Sequence, residues 1–252
     1  MTIPGRLTIA DDGRIIGPAA LSYNDPFPCV NGMYGSGAMN GVVMHTMVGN
    51  LPGTITLFND PARQASTHFG IAQDGSIHQF GPIGKGWCAW AQVAGNLAWY
   101  SIEHADDGNT ENPLTEAQIV ASAQLVEALS AFAGFPLQVT DSTTGFGYGT
   151  HVMGGAAWGG HTCPGPGPRA GQRQAIVDLA KQIRNPPAPP PAPTWQAVAL
   201  TDAETIQDGL AALVALVGSN PPPPAWQAAA LAQAQAIQAD MAALVALVKA
   251  HQ

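Results

Sequence analysis

Charge is scarce in this chain. Only 10% of its 252 residues are Asp, Glu, Lys or Arg, against about a quarter in an average soluble domain. Basic residues are scarcest: nine Lys and Arg in all, leaving a formal net charge of -8. No basic stripe exists, which argues against nucleic-acid binding. Long apolar runs are also missing. None approaches the roughly 18–20 residues of a membrane-spanning helix. The opening "MTIPGRLTIADDGRIIG" has no basic segment followed by an apolar run, so no ordinary secretory signal is expected. Cysteine is sparse and odd in number. Cys29, Cys88 and Cys163 lie far apart, which does not read as a disulfide framework and points to synthesis in a reducing compartment.

What the chain does have is proline in dense runs. Composition shifts at "NPPAPPPAPT" (185–194), a stiff extended spacer. A shorter spacer, "GSNPPPP", spans 218–224. Each precedes a copy of one 23-residue segment: "WQAVALTDAETIQDGLAALVALV" from Trp195 and "WQAAALAQAQAIQADMAALVALV" from Trp226. Ile206, Leu210, Leu213 and Val217 recur at four- and three-residue steps, as do Ile237, Met241, Leu244 and Val248. Both copies are predicted to be amphipathic helices about 34 Å long, too apolar on one face to stand alone. Helical association follows, as a hairpin or as self-association between chains through those seams, with wall targeting as a further role open to the tail. The expected organisation is a main domain over 1–184, a linker over 185–194 and a duplicated helical tail over 195–252.

Within the main domain, "GVVMHTM" (41–47), "STHFGIA" (66–72) and "LAWYSIEHA" (97–105) read as strands. "DGSIHQF" (74–80) follows an Asp-Gly turn signal and reads as a hairpin partner. Residues 114–134 carry a Thr cap, an early Glu116, helical periodicity and a closing Gly. Residues 169–184 read as a second helix. The fold class is α/β, with a mixed central β-sheet flanked by helices and followed by two Pro-linked helices.

The chemistry-bearing residues cluster in loops and strand ends. "GGHTCPGPGP" (159–168) pins His161 and Cys163 where neither helix nor central strand can run. His45 ends the apolar "VVMH", and His151 lies in "GYGTHVMGG". Zinc favours imidazole nitrogen and thiolate sulfur, and three protein ligands leave its fourth position open. His45, His151 and Cys163 make such a set, though their scattered spacing fits no compact finger pattern. A histidine at a strand end is more often structural, so spacing alone does not decide.

The segments "GVVMHTMVG", "STHFGIAQDGSIHQF", "AGNLAWYSIEHADDG" and "GTHVMGGAAWGGHTCPG", with the closing helix, supply the rest. From about residue 38 to 184 the chain resembles the zinc-dependent N-acetylmuramoyl-L-alanine amidases of the type-2 amidase/peptidoglycan-recognition superfamily, which include phage endolysins. The resemblance implies a mixed sheet flanked by helices and a zinc ion in a surface groove. It implies His45, His151 and Cys163 as ligands, at the end of the first core strand, after the long helix and before Pro-Gly. Twelve residues separate His151 from Cys163, a longer gap than the family often has, and His161 competes for the second place. A metal-bound His151 with an oxyanion-stabilising His161 accounts for both. Glu103 matches a strand Glu that faces the attacking water. Thr67 stands where other members have a Tyr, so any role of that phenol is lost or transferred.

The implied activity is hydrolysis of the amide between N-acetylmuramic acid and L-alanine in peptidoglycan, with lysis of the cell wall. With no secretory signal expected, an endolysin-like protein stays in the host cytoplasm until it is released to the wall. The competing class is a non-catalytic peptidoglycan-recognition module, whose members lose zinc ligands; Cys163 favours the enzyme. His68 and His78 read as structural or groove-lining, His104 as facing away from Glu103 by strand alternation, and His251 as terminal. Cys29 and Cys88 read as buried thiols. Trp87, Trp90 and Trp158 fit either a saccharide groove or the core.

Overall fold

The computed structural model describes residues 3–27, 31–165, 167–187, 195–218 and 225–250. An amino-terminal arm gives β1 (Thr8–Ile9) and β2 (Ile15–Ile16), an antiparallel pair, then β3 (Leu21–Tyr23) and β4 (Met33–Tyr34). Next come β5 (Gly41–Thr46), helix α1 (Leu51–Phe58), β6 (Phe69–Ile71), β7 (Ile77–Gln79), β8 (Trp87–Cys88) and β9 (Trp99–His104). Helix α2 (Glu116–Ala133), β10 (Gly147–Thr150) and helix α3 (Arg173–Arg184) complete the first unit. The central sheet has the order β10-β5-β9-β6-β7-β3. It is mixed: β6 and β7 form an antiparallel hairpin, and the other neighbours run parallel.

Alternation along the two central strands separates structure from chemistry. Val42 and Met44 on β5, with Tyr100 and Ile102 on β9, pack into the main core with Leu125, Val126 and Leu129 of α2 and Ile176, Val177 and Ile183 of α3. The residues between them face the other way, where Val43 and Trp99 pack with Trp158 and leave His45 and Glu103 at the strand ends. The His45–Glu103 register makes these two side-by-side neighbours at the carboxyl ends of parallel strands. Open α/β sheets place ligands at that edge.

Local signals explain the helices. α2 begins with a capping box, Thr115 Oγ1 accepting from Gln118 N–H while the Gln118 side chain accepts from Thr115 N–H, and it ends at left-handed Gly134. The region 169–184 is shorter as a regular helix than its sequence suggests. Pro168–Gln172 forms a 3-10 turn, and α3 starts at Arg173. β10 is a strand despite two glycines. A Cβ on Gly41 would lie 1.8 Å from the Gly147 carbonyl oxygen, so this parallel pair closes only with glycine there.

The chain divides into two compact units, Met1–Pro187 and Ala188–Gln252. In the second, α4 (Trp195–Gly218) and α5 (Ala225–Ala250) pack on each other. Among the described side chains, Ala203 and Val245 are buried, while Ile206 and Ile237 of the expected seams are 52% and 46% exposed. Of the other expected seam residues, Leu210 and Met241 are half-buried, and the side chains of Leu213, Val217, Leu244 and Val248 lie outside those described. Residues 188–194 and 219–224 of the spacers, Cys29 and His251 lie outside the described residues. No helix among the described residues is long and apolar enough to cross a membrane.

Candidate metal centre and groove

Three elements deliver three ligand-type side chains to one point. His45 ends β5, His151 follows β10 directly, and Cys163 closes the loop after the 3-10 segment His151–Trp158. One ligand atom from each lies within 4.8 Å of the others. The Val152 N–H donates to the Cys163 carbonyl at 3.0 Å, which ties the second and third segments together. The Thr46 N–H points at the Cys163 sulfur, 3.1 Å away. Trp158 packs flat on Gly154, where a Cβ would collide with the indole at 2.0 Å. That contact holds the Trp158 carbonyl 2.8 Å from His151 Nε2.

Each imidazole is anchored through Nε2. His151 donates to the Trp158 carbonyl, and His45 Nε2 lies 3.1 Å from Gln92 Oε1. The Nδ1 atoms are left for the site; His45 Nδ1 is 3.9 Å from Glu103 Oε1. Burial, then the neighbouring His151, holds His45 well below the usual histidine pKa. Burial also lowers His151. Both are therefore neutral near pH 7, the form a metal binds. Burial, then the nearby Glu103, raises the Cys163 thiol far above its ordinary value, against the opposing Thr46 N–H. A bound cation reverses that preference and draws off the proton.

Glu103 is the fourth partner. Its pKa is pushed up to about 8 by burial and then by Asp106. Its Oε2 is buried with no hydrogen-bond partner. A buried carboxylate oxygen without a donor beside two imidazoles and a thiol fits a site completed by a cation and a water. The donor set could hold a metal ion.

The site lies in a cavity of about 610 Å³, lined also by Thr46, Val48, Phe58, Gln64, Trp90 and Val93. Val48, Gln64 and Val93 hold left-handed backbone angles, φ 50°, 51° and 46°. Such angles in β-branched residues are strained and concentrate at ligand sites. His161 is exposed at the groove and stacks on His151, ring centroids 4.8 Å apart and 30° between planes.

Of the three tryptophans, Trp90 lines the groove, whereas Trp87 and Trp158 are buried in side clusters. Thr67 and His68 each bond to the Ser101 hydroxyl inside the protein, so Thr67 does not reach the groove. His78 bonds to Ser22 and Asn24. His104 bonds to the His45 carbonyl and to Ser122 of α2, on the helix side of the sheet. Cys88 is buried in the main core. Sequence reading missed Gln92. Its partner is 47 residues away, and "WAQVAGN" carries no motif that points to it.

A sequence model of the family described as N-acetylmuramoyl-L-alanine amidase matches residues 35–166, just over half of the chain. N-acetylmuramoyl-L-alanine amidase A of Achromobacter lyticus is 33% identical over 120 residues, 46% of this chain and 63% of that protein. The chain thus spans less than two thirds of the length of this curated relative. Among solved structures, the Staphylococcus aureus hydrolase AmiA in complex with its ligand aligns with TM-score 0.49 and 16% identity, covering 67% of this chain and 85% of that one. N-acetylmuramoyl-L-alanine amidase LysC from Clostridium intestinale aligns with TM-score 0.47 and 16% identity, covering 63% and 97%.

Proposed function

The chain belongs to the N-acetylmuramoyl-L-alanine amidase family, and from that premise we propose that it hydrolyses the amide joining the lactyl group of N-acetylmuramic acid to L-alanine in peptidoglycan, with one zinc ion held by His45, His151 and Cys163. The observation that carries this reading is the donor set itself, two neutral imidazoles and a thiol converging beside a carboxylate with one buried, unpartnered oxygen in an open groove. Two nitrogens and one sulfur suit zinc and leave a coordination position for substrate or water. When bound, zinc supplies Lewis-acid polarisation of the scissile carbonyl and lowers the pKa of water from 15.7 toward about 7.

The chain's own residues move the protons. Glu103, with Oε2 unpartnered, takes a proton from the attacking water as its oxygen bonds to the lactyl carbonyl carbon. It then returns that proton to the L-alanine nitrogen as the C–N bond breaks. Glu103, raised by burial, would stay ionised for the first step beside the positive charge that His45, His151 and Cys163 would hold. His161 stands at the rim with its ring held against His151, and its N–H stabilises the carbonyl oxygen as negative charge develops there. The strained, exposed Val48 and Val93 on the groove wall give apolar surface for the methyl groups of lactyl, acetyl and alanyl units.

The two tail helices support association rather than catalysis, because every candidate for the chemistry lies before residue 185. Among the described side chains, Ile206 and Ile237, at equivalent places in the two copies, are outward apolar residues through which chains would join. The activity is tested by metal exchange. Chelation is expected to abolish amide cleavage, and one equivalent of zinc to restore it. Full activity of the metal-free protein contradicts the zinc assignment. Zinc-loaded protein that binds peptidoglycan without cutting it indicates a recognition module instead.

A further inference from the structure

We infer that Gln92 is a positioning residue that fixes which nitrogen of His45 faces the metal site. Its side chain is buried between the 3-10 turn Val93–Gly95 and the start of β9. The amide Nε2 donates to the Trp99 carbonyl at 3.0 Å and lies 3.4 Å from the Gly95 carbonyl. Both partners can only accept, so the amide cannot flip. Its Oε1 therefore points at His45 Nε2, 3.1 Å away. An amide oxygen can only accept, so His45 carries its proton on Nε2 and presents the Nδ1 lone pair to the site.

The main chain holds Gln92 in this pose. Asn96 Oδ1 accepts from the N–H groups of both Ala91 and Gln92, at 2.9 and 2.7 Å. The Gly95 N–H returns to the Gln92 carbonyl at 2.8 Å. Left-handed Val93 turns the next side chain outward into the groove. One short turn thus puts an amide behind the ligand and an apolar wall in front of it.

His151 reaches the same tautomer by another device, its Nε2 donating to the Trp158 carbonyl. A carbonyl of the backbone cannot be removed by substitution, but Gln92 can. Without an acceptor at Nε2, neutral His45 divides between tautomers, and the Nδ1–H form turns a proton toward the metal instead of a lone pair. Loss of such an outer partner typically costs 10–100-fold in metal affinity.

The inference rests on the reading that these residues hold zinc, and the test separates the two. Zinc affinity of the full chain is measured by competition with a chromophoric chelator, for the parent protein, Gln92→Leu and Gln92→Glu. Long-range 1H–15N spectra of the metal-free proteins report the His45 tautomer directly. The parent is expected to show the Nε2–H form. Gln92→Leu is expected to show a mixture and to bind zinc roughly 10–100-fold more weakly. Gln92→Glu, which keeps an acceptor toward His45 but loses the donor to Trp99, is expected to retain the Nε2–H form and to bind zinc more tightly than Gln92→Leu. Equal loss in both variants, or unchanged zinc affinity in Gln92→Leu, overturns the inference. So does an Nδ1–H His45 in the parent protein, a result that requires no variant to fold. Absence of zinc binding by the parent refutes the metal reading itself, whatever the tautomer.

Discussion

The Thr46 N–H points at the Cys163 sulfur from 3.1 Å. Thr46 follows His45, so the end of one strand supplies one candidate ligand and steadies a second. The Thr46 side chain carries the arrangement further in. Its hydroxyl donates to Asp106 Oδ2 at 2.7 Å and accepts from Arg169 at 3.2 Å, both buried residues. Arg169 also donates to the carbonyls of Asn112 and Ala105. The strand end, the loop after β9 and the segment before α3 are thereby locked together.

Thr46→Val tests that lock. The variant leaves an Asp106 oxygen and an Arg169 N–H short of a buried partner, which costs about 1–3 kcal/mol. The N–H toward Cys163 stays. Thermal unfolding is expected to show the loss, while zinc content of the folded protein stays near one per chain.

Glu103→Gln and His161→Ala are expected to keep zinc and lose turnover. For a general base the loss is roughly 10²–10⁴-fold. His151→Ala and Cys163→Ala are expected to lose the metal. Metal analysis beside kinetics decides it. If His161→Ala empties the site while His151→Ala stays loaded, the two histidines have exchanged roles.

Acid stability depends on buried neutral histidine. Burial depresses His68 to about 3, while an unfolded histidine titrates near 6.5. Below that value the unfolded chain takes up a proton that the folded chain refuses. Stability is therefore full above about pH 6.5 and falls as pH drops toward 3, by about 1.4 kcal/mol per pH unit from this residue. His68→Asn keeps an acceptor for the Ser101 N–H and removes the titration. Denaturant titrations from pH 6 to 4, with chelator present, are expected to show a shallower pH slope by about that amount.

The tail is expected to act on assembly. A fragment of residues 1–187 should fold and cleave soluble muropeptide at the full chain's rate. Sedimentation should show more chains per particle for the full chain than for the fragment, a number reduced by Ile206→Glu with Ile237→Glu. An equal number of chains per particle and equal binding to intact walls for fragment and full chain contradict any role for the tail in association or targeting.

Much of this was legible in the sequence, and the exceptions have physical causes. β5 and β9 announced themselves as apolar runs because both faces of a parallel strand are covered. α2 carried its own caps. β10 did not read as a strand, since glycines weaken strand propensity and only its fit against Gly41 explains them. α1 contains Pro52 and Gly53. Its start depends on the Asn50 side chain accepting from the Gly53 N–H, with proline in the first turn where it is tolerated. His45 and Cys163 stood out by position. The choice between His151 and His161 did not follow from spacing; the structure brings His151, anchored to Trp158, into the cluster with His45 and Cys163 and leaves His161 exposed at the groove. Gln92 had no signal, because its function depends on a turn that brings a loop amide behind a strand end.

The measurement that bears most directly on the account is analysis of the bonds broken in purified peptidoglycan by the zinc-loaded full chain. The account predicts new L-alanine amino termini, stem peptides released free of sugar, and no new reducing ends. New reducing ends, or peptide cleavage that leaves L-alanine attached to the lactyl group, would contradict it.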